Sequence, residues 1–194
     1  MKKKKYTYAT DEKNLHLGGN FIEGDPATFS PSAWQYLINK FNLKSVLDVG
    51  SGRGYAGQWF LEKGLSVVAI DGLHDNVANS IIPSIEHDLT KAPFLHVTDF
   101  VNCVEVVEHI EEAFLDNLLD TLCSGKILLM THAIPGQDGW HHVNCQNSEY
   151  WINHLKVRNF ILLEDDSKKV QQLAHADGAA HIARNGLVFK NASR

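Results

Sequence analysis

Cysteine is scarce in this chain. Cys103, Cys123 and Cys145 make an odd set without a C-x-x-C pair, which argues against a disulfide framework or a zinc knuckle. Long apolar runs are also missing; the longest are short, such as Ile127–Met130, far below the ~18 residues that a membrane span needs. Positive charge is not in excess: 18 Lys and Arg face 23 Asp and Glu, for a net charge of −5. That balance disfavours a general grip on nucleic acid, whose binding is dominated by cations on phosphate. The four lysines Lys2–Lys5 read as a solvated, mobile tail. They do not open a signal peptide, because Tyr6–Gly19 is polar where an apolar core should follow, so a cytoplasmic protein is expected. No internal repeat is present. With 194 residues, 44% of them apolar, the chain can bury roughly 70% of its unfolded surface around one core. The expected division is an amino-terminal flexible or lid segment over 1–30 and a single domain over 31–194.

Residues 1–30 are rich in turn chemistry, with Gly18-Gly19-Asn20 and Gly24-Asp25-Pro26, and read as loop. Ser30-Pro31 starts a helix. Short apolar strands then alternate with helices: strands at Ser45–Val49, Ser66–Ile70, Ile85–His87, Asp99–Val107, Gly125–Thr131, Phe160–Glu164 and Gly186–Lys190, and helices at Tyr55–Lys63, Glu108–Leu122 and Ser148–Val157, with 168–183 partly helical. Strands that are continuously apolar are buried on both faces, which predicts an α/β, doubly wound, mainly parallel sheet of seven strands. Ligands of such sheets bind beyond the carboxyl ends of the strands.

The first of those ends is Asp48-Val49-Gly50-Ser51-Gly52-Arg53-Gly54-Tyr55. Glycines let the backbone turn sharply and approach a ligand, and the next helix aims its amides there. A dinucleotide fingerprint would carry its third glycine at 55, where this chain has tyrosine. Asp48 sets a carboxylate in an apolar strand, which demands a partner. Asp71 ends the second strand, 21 residues after Gly50, where nucleoside-binding folds place the acid for ribose hydroxyls.

The stretch LDVGSGRG, then VVAIDG, EHDLT and DFVNCVEVVEHI resembles the class I S-adenosylmethionine-dependent methyltransferases. The resemblance is strong over residues 45–131 and implies a Rossmann-like sheet whose last strand is antiparallel. It implies that Gly50, Ser51 and Gly52 line the methionine part of S-adenosylmethionine. Asp48 would orient that loop and the cofactor's amino group. Asp71 would take the ribose hydroxyls beside Gly72, and Asp88 with Leu89 would read the adenine edge.

Glu105, Glu108 and His109 stand at i, i+3 and i+4 after the fourth strand, a spacing that lets them share one side of the strand–helix junction. Two carboxylates and an imidazole this close are costly unless a cation or a proton is shared, and Mg²⁺, Mn²⁺ or a related divalent ion would resolve the conflict. A loop rich in Gly, His and Trp follows the fifth strand, Pro135-Gly-Gln-Asp-Gly-Trp-His-His142, and reads as a lid. The E-x-x-E-H pattern with a later histidine is similar to metal-dependent O-methyltransferases. That likeness implies Glu105, Glu108, His109 and His142 (or His141) as ligands. In metal-free relatives of the pattern, Glu105 instead faces the cofactor and a histidine, His142 or His109, takes the proton.

The remaining candidates are weaker. Gly18–Asp25, with Phe21 and Phe29, either covers the cofactor or packs on the sheet. Trp34, Trp59 and Trp151 read as core, Trp140 as an aromatic that could stack on a ligand, and Cys145 as incidental. His175 and His181 carry no evident chemistry. The expected activity is O-methylation of a small-molecule or sugar-like hydroxyl. Substrate recognition would come from residues 1–30, the lid and 166–185. The rival readings are an NAD-dependent oxidoreductase and an inactive cofactor-binding subunit.

Overall fold

The computed structural model describes residues 7–193; the lysine run Lys2–Lys5 lies outside them. Seven strands form the main sheet: β3 (Ser45–Val49), β4 (Ser66–Asp71), β5 (Ser84–Glu86), β6 (Thr98–Cys103), β7 (Gly125–Met130), β8 (Phe160–Leu162) and β9 (Leu187–Asn191). Their order is β5-β4-β3-β6-β7-β9-β8. All run parallel except β9, which pairs antiparallel with both β7 and β8. This is the doubly wound α/β sheet that the apolar strands predict. Order reverses between β3 and β6, where such sheets open their ligand crevice.

Alternate strand residues feed two cores, one on each face. Leu47, Val101, Leu128 and Phe189 pack with Leu118, Leu119 and Leu122 of α4 (Leu115–Leu122) and with Trp151 and Leu155 of α5 (Ser148–Val157). Val46, Phe100, Ile127, Leu129 and Val188 meet Trp34 and Leu37 of α1 (Pro31–Phe41), Phe60 of α2 (Tyr55–Glu62) and Val170 of α6 (Glu164–Asp177). Short helices α3 (His74–Ala78) and α7 (Ala180–Asn185) complete the set. Trp34 and Trp151 are buried core residues, whereas Trp59 is half-buried beneath the Lys63 ammonium. Among the described residues, no helix is long and apolar enough to cross a membrane.

Three local readings are corrected. Residues 7–30 are not all loop: β1 (Tyr8–Thr10) and β2 (Gly18–Phe21) pair antiparallel, and a 3₁₀ turn spans Pro26–Thr28. The fourth strand of the sheet stops at Cys103 rather than running to Val107. Its apolar pattern continues because Val106 packs against Gly50 and Val107 enters the core, so buried loop residues imitate a strand. The helix expected from Glu108 begins only at Leu115, preceded by 3₁₀ turns at Val107–His109 and Glu112–Phe114.

Candidate active site

The carboxyl ends of β3, β4 and β6 open into one cavity of about 920 Å³, within the size range of small-molecule sites. On the β3 side, Gly50 has φ +67°, and a Cβ there would stand 2.3 Å from Val106 Cγ2, so only glycine permits this turn. The loop is tied to β4 by the Ser51 amide, which donates to the Ile70 carbonyl (2.9 Å). Parallel register sets Asp48 opposite Asn102. Asn102 Nδ2 donates to Asp48 Oδ1 at 2.8 Å, while Oδ2 is buried without a hydrogen-bond partner. Burial pushes the Asp48 carboxyl up to about 6 against the opposing Asn102 hydrogen bond. Oδ2 is closed off from the cavity and faces Gly57 of α2, 3.6 Å from where a Cβ there would stand.

Asp71 ends β4 beside it. Its Oδ2 accepts from the Gly52 amide (2.8 Å), and its Oδ1 from the Leu73 amide (2.9 Å) and Asn76 Nδ2 (3.1 Å). Burial nonetheless raises its pKa. Three acceptor positions are thus filled by the protein itself, and Oδ2 retains a free lone pair for a ribose hydroxyl. Asp88 Oδ1 accepts from the Thr90 amide and hydroxyl and contacts His16 Nε2 at 3.1 Å. Burial opposes ionisation there, but the Thr90 and His16 contacts win and hold its pKa below the ordinary value. Gly72, Asp88 and Leu89 all line the cavity.

Beyond β6 the acid–histidine group is split. Glu105 takes φ +56°, a conformation that a non-glycine residue holds only when its surroundings enforce it. Its amide donates to Thr131 Oγ1 (2.7 Å), and that hydroxyl donates back to Glu105 Oε1 (2.9 Å). Glu105 Oε2 meets His181 Nδ1 at 2.9 Å, and His181 Nε2 faces Asp25 Oδ2 at 3.5 Å. Asp25 and Glu105 together lift the His181 imidazole up to about 10. Burial works against Glu105, yet the His181 and Thr131 hydrogen bonds keep it below the usual carboxyl range. His181, which nothing in the sequence singled out, thus stands on the cavity wall between two carboxylates, a setting that favours its protonated form. Its isolation in the carboxyl-terminal segment hid it, because only the packing of α7 against the turn at Pro26–Thr28 brings it to Glu105.

Glu108, His109 and His142 form a separate group, in which one ligand atom from each lies within 4.8 Å of the others. Glu105 is not in it: the left-handed backbone at 105 and the 3₁₀ turn over 107–109 replace the helical geometry that would have aligned it with Glu108 and His109. Glu108 is fully buried with both oxygens unpaired, and His109 Nδ1 is unpaired too. Burial and the Glu105 charge push Glu108 up to about 8, while burial and His142 push His109 down to about 4. The lid reaches this group because the Val143 and Asn144 amides donate to the Glu108 carbonyl (3.0 and 3.1 Å). His141 is drawn elsewhere, to Glu111 Oε1 at 3.0 Å, which leaves His142 as the lid's contribution. Trp140 lines the cavity, its Nε1 donating to the Leu15 carbonyl at 2.8 Å.

Residues 27–166 match the family described as a methyltransferase domain, and the chain belongs to that family, the class that the glycine loop and its acids resemble. Over 116 residues it is 30% identical to the ubiquinone biosynthesis O-methyltransferase of Rickettsia typhi, a match covering 50% of this chain and 47% of that protein. The chain thus spans about half the length of the curated relatives it matches. The fold is shared with a SAM-dependent methyltransferase from Archaeoglobus fulgidus (TM-score 0.57, 14% identity, 87% of this chain and 96% of that one). It is also shared with the magnesium protoporphyrin IX methyltransferase of Synechocystis, solved with bound SAM (TM-score 0.56, 17% identity, 68% and 67%).

Proposed function

We propose that the chain transfers a methyl group from S-adenosylmethionine to an oxygen of a small-molecule or sugar-like acceptor. The observation that carries this reading is one cavity lined by Asp48, Gly50, Gly52, Asp71 and Asp88 and also by Glu105, His109 and His142. Asp48, held by Asn102, orients the glycine loop and, through it or a water, the cofactor's ammonium, and Gly50, Ser51 and Gly52 line the methionine chain. Asp71 takes a ribose hydroxyl at the free position of Oδ2, and Asp88 with Leu89 bounds the adenine. Methyl transfer is an in-line displacement that needs alignment more than covalent help, and alignment is worth up to about 7–11 kcal/mol.

The acceptor end holds Glu105, His109 and His142. Glu105 is ionised and faces the cavity, able to accept a hydrogen bond from the acceptor hydroxyl and orient it. His109, held neutral by burial, and His142 of the lid both line the cavity, and one of these imidazoles takes the acceptor's proton. Glu108, His109 and His142 also fit a divalent cation: a buried carboxylate with no donor beside two imidazoles is a ligand set in want of positive charge. A divalent ion that accepts imidazole, such as Mn²⁺, would be held there by Glu108, His109 and His142 and would supply Lewis acidity that lowers the pKa of the hydroxyl to be methylated.

Isothermal titration with S-adenosylmethionine, S-adenosylhomocysteine and NAD⁺ tests the cofactor, and labelled-methyl transfer to a library of hydroxyl compounds tests the chemistry. Binding of the first two ligands and turnover on a hydroxyl acceptor are expected. Preference for NAD⁺ would assign the cavity to an oxidoreductase. Tight cofactor binding without transfer to any acceptor would leave a binding subunit.

A further inference from the structure

The segment 15–21 touches the cofactor half of the cavity and the lid at once. Asn20 and Asn76 exchange amide hydrogen bonds (Asn76 Nδ2 to Asn20 Oδ1, 2.9 Å; Asn20 Nδ2 to Asn76 Oδ1, 3.2 Å). Asn76 is itself buried and donates to Asp71 Oδ1. Leu17 lies so close over Gly72 that a Cβ there would stand 2.4 Å from Leu17 Cδ2. One residue before Asn20, Gly19 has φ +91°, and a Cβ on it would come within 2.9 Å of Trp140 Cδ1. The indole of Trp140 is therefore seated on the bare backbone of Gly19 and pinned by its bond to the Leu15 carbonyl. Trp140 stands two residues from His142 on the lid.

A continuous chain of contacts thus runs Asp71–Asn76–Asn20–Gly19–Trp140, from the acid at the end of β4 to the loop that carries His142. We infer that Asn20 and Trp140 are positioning residues that couple the two halves of the site. Cofactor under the strap fixes Asn20, the fixed strap presents the Gly19 seat, and the seated Trp140 sets the lid for the acceptor. The inference rests on the proposed cofactor site. Its logic is thermodynamic: a ligand that orders the strap lowers the cost of ordering the lid, and docking of the lid tightens the ligand by the same factor.

The test is a double-mutant cycle on S-adenosylhomocysteine affinity, measured by titration calorimetry with the full chain, combined with hydrogen exchange over 137–143. Asn20→Ala and Trp140→Ala should each weaken the ligand by about tenfold, a typical coupling factor, and the double variant should be no weaker than the worse single one. Ligand should slow exchange over 137–143 in the unaltered chain and fail to do so in Asn20→Ala. Trp140→Phe, which keeps a ring on Gly19, should recover part of the protection. If a truncation unfolds the chain, Asn20→Ser with Trp140→Phe supplies a milder cycle. Losses that multiply, or a lid indifferent to ligand in the unaltered chain, would overturn the coupling while leaving the cofactor site standing. Absence of any S-adenosylhomocysteine binding would overturn the coupling together with the cofactor reading.

Discussion

Asp48 shows how one buried oxygen sets a pH window. Burial raises its pKa to about 6, so it is protonated below that value and ionised above it. The fold is correspondingly favoured at low pH by this group, and loses that contribution as pH rises from the ordinary value of 3.8 through about 6. Attraction of the cofactor's ammonium by the Asp48 carboxylate needs the ionised form. S-adenosylhomocysteine affinity is therefore expected to fall as pH drops below about 6, and Asp48→Asn should flatten that bend; titration calorimetry between pH 5 and 8 reads it. Asp71 is expected to behave differently, because its acceptor positions also hold the Gly52 and Leu73 amides. Asp71→Asn should cost about tenfold or more in ligand affinity, the value of a hydrogen bond to a charged group. It should also lower Tm, because the new amide sets an N–H against a backbone donor.

Among the elements, α7 and the turn at Pro26–Thr28 illustrate a charge contact made between distant parts of the chain. His181 stabilises the fold as an imidazolium between Asp25 and Glu105. Its folded pKa of about 10 lies above the ordinary 6.5, so its contribution is complete below pH 6.5 and is lost as pH rises through about 10. The depressed carboxyls Asp25 and Glu105 contribute above their ordinary values and lose that contribution in acid. The Tm gap between the unaltered chain and His181→Gln should therefore be widest near pH 5.5–6.5 and close toward pH 10 in thermal unfolding. On the opposite face, Leu118 of α4 is fully buried between the helix and the sheet. Leu118→Ala should cost about 2–5 kcal/mol, read by denaturant unfolding, without changing the cavity. The early end of β6 belongs to this scale as well. A run of valines at 104, 106 and 107 has the composition of a strand, but the left-handed turn at Glu105 takes it out of the sheet and over Gly50.

For the molecule as a whole, the buried Glu108 carboxyl is the least compensated charge site. If a divalent cation belongs with Glu108, His109 and His142, adding Mn²⁺ or Mg²⁺ should raise Tm, since a ligand that binds the folded state alone stabilises it by mass action. Glu108→Gln should abolish that rise; an unchanged Tm in the parent chain would mean that Glu108 simply stays protonated. The topology, and the gathering of the Gly50 loop, Asp71 and Asp88 at one cavity, were legible from the sequence. Parallel strands buried on both faces are written as unbroken apolar runs, and residues following a strand must stand at its carboxyl end. The acceptor end was only half legible. Local spacing grouped Glu105 with Glu108 and His109, but one left-handed residue turned Glu105 toward a histidine 76 positions away. Periodicity encodes which residues face the core, and so the sequence by itself determined the sheet and its crevice. The partners of charged groups are set by which distant segments pack together, and that only the tertiary structure decided.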